Sequence, residues 1–416
     1  MAEISPDDFD LIVVGTGLQE ALLAAAASKT GKRCETASSA TKVEVALSGD
    51  DSSLYTDVEV ERDSRADLGP LRDYNIDLAP KVLYCADLLI DPLIGALLAC
   101  GAQHYLEFKL VQASYVWRGG RLARVPAARA DIFRDRSLGP ADKRALMRFL
   151  TAAAGALHGT GPLYGVFCGR QPLAALLEAQ GLAPHLRDFI LYALAMADAE
   201  QGRAALALYL ESAGRYGAGT GALLAPMFGA GELPQAFCRV AAVAGALYVL
   251  RRPLAAALLR GGRCVGVRTR DGQVLTCMAM ACNTGTLPAA WGGPASPSLA
   301  RGVCILDGPL QDGESQVTVV IPPRALGGAN AAAVRALQVG AATSACPPGR
   351  YLLYLSTLSS GASAAHDLRP AGGMVAALGS SAGPGTSPDP GGEDSDDEAV
   401  GALASALRGL GEGPGK

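Results

Sequence analysis

The chain has 416 residues, half of them apolar and 18% charged, which is enough to bury a large core and to form two domains. A formal net charge of −4 leaves no basic footprint for nucleic acid, and no uninterrupted apolar stretch approaches the ~18 residues of a membrane span. Ten cysteines without a C-x-x-C pair, four dispersed histidines, and an acidic start at Met1-Ala2-Glu3-Ile4-Ser5-Pro6-Asp7-Asp8 without a signal core predict a reduced, cytosolic protein with no metal site.

The first element is the apolar run Phe9-Asp10-Leu11-Ile12-Val13-Val14, suited to a buried parallel strand. Gly15-Thr16-Gly17-Leu18-Gln19-Glu20 turns it into a helical run over residues 21–28, so that residues 9–38 predict the βαβ opening of a Rossmann-type nucleotide domain. Two positions make this unit a scaffold and not a cofactor site. The third glycine of the G-x-G-x-x-G fingerprint is Glu20, whose carboxylate stands at the helix N-terminus where a phosphate would sit. The acid that holds the ribose hydroxyls is expected about twenty residues further on, and Ser38 stands there. Glu35 serves only if the second strand ends three residues early. Gly15, Gly17, Glu20 and Ser38 therefore make a degenerate fingerprint, and no cofactor is expected.

Residues 39–68 are polar and aperiodic, with Ser48-Gly49-Asp50-Asp51-Ser52-Ser53 reading as a loop. The apolar run 88–101 is interrupted by Asp91 and Pro92, which predicts core packing. Residues 105–110 read as a strand, and residues 114–117 with 122–126 read as a hairpin about the Arg118-Gly119-Gly120-Arg121 turn. Residues 141–150 predict an amphipathic helix with Leu146, Met147, Phe149 and Leu150 on its apolar face and Lys143, Arg144 and Arg148 elsewhere. An ordinary core helix explains those residues taken singly. A leucine-rich segment at 172–177, a helix begun by Pro184 and a helix over 203–213 follow. His158 and His185 have no carboxylate or cysteine at ligand spacing and are expected to be surface or capping residues. Glu232-Leu233-Pro234 starts a helix, since proline and acid both suit a first turn. Arg239 lies seven residues after Glu232, nearly two turns on, and so faces the same side. Short strands are predicted at 263–267, 273–277, 302–306, 316–321 and 351–356. An irregular Gly, Pro, Ser and acid stretch runs over 369–397, and Val400, Leu403, Leu407 and Leu410 mark a last helix.

In chain order, G-T-G-L-x-E, N-I-D-L-x-P-K, Y-L-E-F-K, a hairpin ending in V-P, R-Y-G and G-E-L-P-Q-x-F resemble the Rab GDP-dissociation inhibitor and Rab escort protein superfamily over roughly residues 8–360. Residues 129–150 and 181–196 resemble its escort branch. The resemblance implies an α/β, flavoprotein-like Rossmann-type fold that has lost its flavin, with an inserted helical domain. Residues 1–126 and 214–368 would form a discontinuous first domain and 127–213 the helical one, followed by a disordered loop at 369–397 and a terminal helix and tail at 398–416.

The resemblance further implies that Glu232 and Arg239 lie on a platform gripping the switch regions of a GDP-bound Rab GTPase, and that Leu247 and Val249 end it in apolar contacts. The helical domain would offer a greasy groove to prenyl groups and dock the Rab geranylgeranyl transferase heterodimer, with Leu146, Met147, Phe149, Leu150, Tyr209 and Arg215 as the residues carried over. Such a protein performs no chemistry of its own, works in the cytosol, and delivers its lipidated client transiently to membranes. A recycling inhibitor of already lipidated Rab, or a flavin-dependent amine oxidase of the same fold, are the alternatives. The family's early Tyr-Tyr-Gly-Gly segment is absent from residues 39–68, and the family's final strand and C-terminal segment do not follow the last helix.

Overall fold

The computed structural model describes residues 3–30, 43–46, 55–61, 67–84, 92–126, 129–135, 138–160, 163, 171–196, 202–215, 221–283, 286–287, 291, 297–327 and 330–380. The chain divides into two compact units. One comprises Met1–Val58, Gly95–Leu106 and Gly231–Ser296, the other Glu59–Ile94, Glu107–Ala230 and Pro297–Lys416.

The first unit is a five-stranded sheet. Its order is Asp8–Val14, Val274–Cys282, Arg263–Thr269, Leu254–Arg260 and Val43–Ala46. The opening strand pairs in parallel with Val274–Cys282, from Asp8 opposite Thr276 to Val14 opposite Cys282. All other pairings in this sheet are antiparallel. The strand and its helix, Leu18–Lys29, form as expected, and the parallel neighbour among the described residues comes from far along the chain. Val43–Ala46 takes an antiparallel place at the opposite edge, and residues 33–38, where the second strand was expected, lie outside the described residues. Gly266 admits no side chain, because a Cβ there would run into the carbonyl oxygen of Leu275 on the neighbouring strand. The helix Leu18–Lys29 packs against the helix Glu232–Val243, and the small buried side chains Ala21 and Ala25 leave room for it. The N-terminus is tied down by Gln273, which accepts the Ile4 N–H at 2.9 Å and donates to the Ile4 carbonyl at 2.8 Å.

The second unit holds a six-stranded sheet in the order Leu299–Leu306, Tyr351–Leu358, Val334–Gly340, Val317–Ile321, Ala113–Arg118 and Arg121–Arg124. Every residue of Val317–Ile321 is buried, as a central strand requires. The predicted hairpin is its Ala113–Arg118 and Arg121–Arg124 pair. The helix Ala364–Ser380 packs on the edge strand, burying Leu368, Ala371, Met374 and Val375. The irregular stretch expected from Arg369 is thus helical as far as Ser380, because apolar residues recurring every three to four positions outweigh the helix-breaking Pro370. The last helix, expected at 400–410, lies outside the described residues.

Among the described residues this unit has five further helices: Arg129–Arg134, Pro140–Leu157, Leu173–Ala179, Pro184–Asp188 and Gly202–Ser212. The turn Phe189–Leu194 extends Pro184–Asp188 with π-type winding. Leu146, Leu173, Leu176, Leu186, Ile190 and Leu206 are fully buried in the core they share with Val116 and Val125 of the hairpin region. The strand expected at 105–110 shortens to Phe108–Leu110, with a 3₁₀ turn over Ala102–Tyr105 before it. Phe108–Leu110 and Leu83–Tyr84 flank Leu223–Pro226 in a small third sheet.

Candidate functional site

The glycine turn after the first strand is closed from within. Gly15 adopts a left-handed φ of +112°, and the Glu20 side chain folds back over the turn. A Cβ at Gly17 would lie 2.5 Å from Glu20 Oε2, and one at Gly15 would lie 3.5 Å from Glu20 Cγ. The carboxylate therefore occupies the positive end of the helix dipole, where a pyrophosphate would bind. It also reaches the thiol of Cys282, which is pushed up by burial and then by Cys264 and Glu20. These residues do not fit a dinucleotide. Ser38 lies outside the described residues.

The helix Glu232–Val243 is strongly two-faced. Leu233, Ala236, Phe237, Val240 and Ala241 recur at helical spacing and are buried. The opposite face presents Glu232, Gln235 and Arg239, with Gln235 and Arg239 exposed and Glu232 half-buried. Glu232 Oε1 accepts a hydrogen bond from Gln235 Nε2 at 3.1 Å. The Arg239 guanidinium lies 4.8 Å from the centre of the Tyr105 ring, a cation–π contact. Among the described residues Arg239 makes no ion pair with Glu232, so one helix face holds both charges available to a partner. Beyond the helix, Leu247 is 52% exposed and Val249 44%, beside Val243 at 75% and Leu250 at 74%. Tyr248 between them turns inward, and burial beside Cys238 pushes its phenol up. Tyr105, Val243 and Leu250 extend this surface beyond the residues expected from the sequence. Val243 lies seven residues after the buried Ala236, so spacing puts it on the buried face and its exposure at the helix end was not legible. Tyr105 was hidden by its placement in a strand.

The second unit explains the N-I-D-L-x-P-K motif structurally. Asp77 Oδ2 accepts the Ala230 N–H at 2.7 Å, and the Asp77 N–H donates to the Tyr354 hydroxyl at 3.1 Å. A Cβ at Gly229, whose φ is +100°, would come within 3.0 Å of the same carboxylate.

In the helical part, Leu146 and Phe149 are buried in the core, whereas Met147 and Leu150 are half-buried against it. The half-buried Tyr209 donates its hydroxyl to the Pro126 carbonyl at 3.3 Å, and burial pushes its phenol up. Arg215 is exposed beyond Gly202–Ser212. Tyr209 lines a cavity of about 650 Å³ together with the apolar Val111, Leu122, Val125 and Met196 and the charged Arg121, Arg124, Asp131 and Asp135. A second cavity of about 230 Å³ has Ala123, Arg124 and Asp135 in common with it.

Phe133 stands out of this unit at 65% exposure. Lys143 Nζ holds its carbonyl at 2.7 Å, and Arg144 and Arg148 are exposed on the next helix. The sequence marked the two arginines as off the apolar face but gave no reason for an aromatic residue to be in water.

His158 and His185 each have a carboxylate partner that the sequence spacing did not show. His185 Nε2 lies 3.0 Å from Asp142 and His158 Nε2 lies 3.7 Å from Glu211, each partner supplied by a different helix and so invisible to sequence spacing. His158 also caps Pro140–Leu157, as expected of a capping residue. Among the described residues no group of three or more His, Cys, Asp or Glu side chains is placed to hold a metal, and no helix is long and apolar enough to cross a membrane.

A family model described as GDP dissociation inhibitor matches residues 5–380. The chain is 32% identical over 443 residues to Rab escort protein 1 of Arabidopsis thaliana, covering 85% of this chain and 77% of the relative. It is 29% identical over 417 residues to the Rab proteins geranylgeranyltransferase component A of Drosophila melanogaster, covering 88% and 78%. Among solved structures, Rab GDI from Plasmodium falciparum matches with a TM-score of 0.64 at 19% identity over 86% of this chain and 84% of that one, a likeness of fold.

Proposed function

The chain belongs to the GDP dissociation inhibitor family, and on that premise we propose that it is a Rab escort protein. It binds GDP-bound Rab GTPases, presents them to the Rab geranylgeranyl transferase heterodimer, and delivers the lipidated product to membranes from the cytosol. The observation that carries this reading is the 32% identity to Rab escort protein 1 across 85% of the chain, seconded by the transferase component A of the fly.

The geometry supports a role in binding. Glu232 and Arg239 share an outward helix face and Leu247 and Val249 follow it, as a platform for a folded GTPase needs: charges to set register and apolar contacts to supply affinity. Phe133 with Arg144 and Arg148 offers the transferase an aromatic anchor beside positive charge. The cavity lined by Tyr209 is the place for a prenyl chain, within the roughly 300–1,000 Å³ of ordinary ligand pockets. Leu146 and Phe149 then shape the helices around that cavity instead of touching the lipid. We read the protein as a non-catalytic accessory subunit, because Glu20 stands where the flavin of an oxidoreductase of this fold would place its pyrophosphate.

A recycling inhibitor is the second reading, favoured by the family description itself. Size-exclusion chromatography with unprenylated GDP-bound Rab and the transferase separates the two. An escort protein forms a ternary complex, and a recycling inhibitor takes up prenylated Rab alone.

A further inference from the structure

We propose that the tight turn Arg260-Gly261-Gly262-Arg263 of the first unit is a contact for an anionic lipid surface, its guanidinium groups donating to headgroup oxygens. The inference rests on the proposed delivery of a lipidated client to membranes and names the part of the chain that meets the bilayer.

Residues 251–270 hold six arginines and no acidic residue. They include the hairpin of Leu254–Arg260 and Arg263–Thr269 within the five-stranded sheet. Two of the six are engaged inside the protein: Arg252 pairs with Asp271 at 2.8 Å, and Arg268 also has its own contacts. Among the described residues Arg251, Arg260, Arg263 and Arg270 have no ion-pair partner.

The turn carries its charge at a cost. Gly261 and Gly262 both adopt a left-handed φ, +56° and +77°, the tight two-residue connection that matches the twist of a hairpin. This sets Arg260 directly opposite Arg263, and like charges so placed weaken the pairing of the strands. Arg260 is also half-buried, with its Nε shielded from water and without a hydrogen-bond partner among the described residues. A buried donor left unmade is destabilising, and an anion at the tip offsets the repulsion. The same tetrapeptide closes the hairpin of the second unit, where Gly119 and Gly120 have φ of +58° and +75° and Arg118 faces Arg121. Both of those arginines are exposed to water, so the shielded guanidinium nitrogen distinguishes the turn of the first unit.

The chemistry of the tip selects a surface over a single folded partner. Between the two arginines stand glycines, which offer no side chain for shape or hydrogen-bond recognition, so the tip reads charge alone. A bilayer bearing acidic headgroups is a repeating plane of oxyanions, to which guanidinium groups bind through paired hydrogen bonds. Met278 adds an apolar side chain at the same end of the sheet. It is 64% exposed and lies two residues beyond Thr276, which is opposite Gly266, in the direction of Arg263. A cationic tip beside an exposed apolar residue suits the boundary between headgroups and acyl chains.

Flotation of the full chain, free of client, with vesicles of phosphatidylcholine and with vesicles of equal parts phosphatidylcholine and phosphatidylserine tests this. The parent should bind the acidic vesicles, ignore the neutral ones, and release as salt is raised. Arg263→Gln should weaken binding about fivefold, and Arg263→Lys, which keeps the charge, should retain most of it. Arg263→Glu is the companion variant: it places opposite charges across the turn, so the protein should melt no lower than the parent and still bind more weakly than the glutamine variant. Equal binding to both vesicle types, no binding to either, or acidic-vesicle binding unchanged in Arg263→Glu overturns the proposal. Release from the vesicles by inorganic phosphate at constant ionic strength would make the turn a site for a free oxyanion, and arginine-dependent retention on heparin without vesicle binding would assign it to a polyanionic chain; either overturns the stated partner. Complex formation with unprenylated Rab and the transferase by the same preparations reports on the escort role separately. A chain that forms that complex and ignores acidic vesicles refutes this inference alone, and one that binds the vesicles without forming the complex refutes the escort role alone.

Discussion

Replacing Arg239 with alanine separates a binding surface from a structural contact. The buried face of its helix, Leu233, Phe237 and Val240, does not involve the guanidinium, and the intramolecular contact it loses is the one over the Tyr105 ring. At an exposed site such a cation–π contact is worth ~0.5–1 kcal/mol. A loss of that size lowers the melting temperature of a domain this large by about 1–4 °C. If the face carrying Glu232 and Arg239 grips the GTPase, truncating an interface arginine and leaving its partner unpaired costs ~1–3 kcal/mol, or about 5- to 150-fold in affinity. Differential scanning fluorimetry and fluorescence titration with GDP-bound Rab on the same preparation read both quantities. Unchanged affinity, or a melting drop large enough to account for the lost binding, would refute the assignment of this face to the client.

Glu20→Gly should open the glycine turn without creating a flavin site, because Ser38 still leaves the ribose unheld; a preparation that turns yellow with tightly held flavin would show that Glu20 was the sole barrier. Phe133→Ser should weaken transferase binding about tenfold or more and leave melting and Rab affinity as they were, since the ring is exposed. Equal loss of both partners would contradict a docking role. Burial, reinforced by the charge of Glu61, pushes the Cys304 thiol from 9.0 to about 12. The unfolded chain ionises this thiol first, so its contribution to stability is complete below pH 9.0 and is lost as the pH rises toward about 12. Urea unfolding across that range should show falling stability, and Cys304→Ala should flatten the fall without abolishing it, because burial shifts Cys277 and Cys346 the same way. A slope untouched by the substitution would contradict the burial argument.

Local chemistry was legible in the sequence where a residue's reason lies within a few positions of it. The helix from Glu232 was legible from its first-turn acid and proline and from the spacing of Leu233, Ala236, Phe237 and Val240, and Glu20 was visible as a misfit in a glycine pattern. What escaped depended on distant partners. One parallel neighbour of the first strand, Val274–Cys282, is 268 residues away in the sequence, with Asp8 opposite Thr276. The run Leu254-Ala255-Ala256-Ala257-Leu258-Leu259 is composed of good helix formers and becomes a strand because it has partners on both sides in the sheet. Asp142 and Glu211 reach the histidines across helices, and Arg118 and Arg324, about two hundred residues apart, line one cavity only because the fold brings them there.

The central claim is that this chain accepts a Rab before the lipid is attached. The most direct test mixes the purified protein with unprenylated, GDP-loaded Rab and the transferase heterodimer and measures, by analytical ultracentrifugation, whether a single species containing all three forms. The account predicts that species, with GTP-loaded Rab excluded from it. Binding confined to prenylated Rab, with no complex containing the transferase, would contradict it.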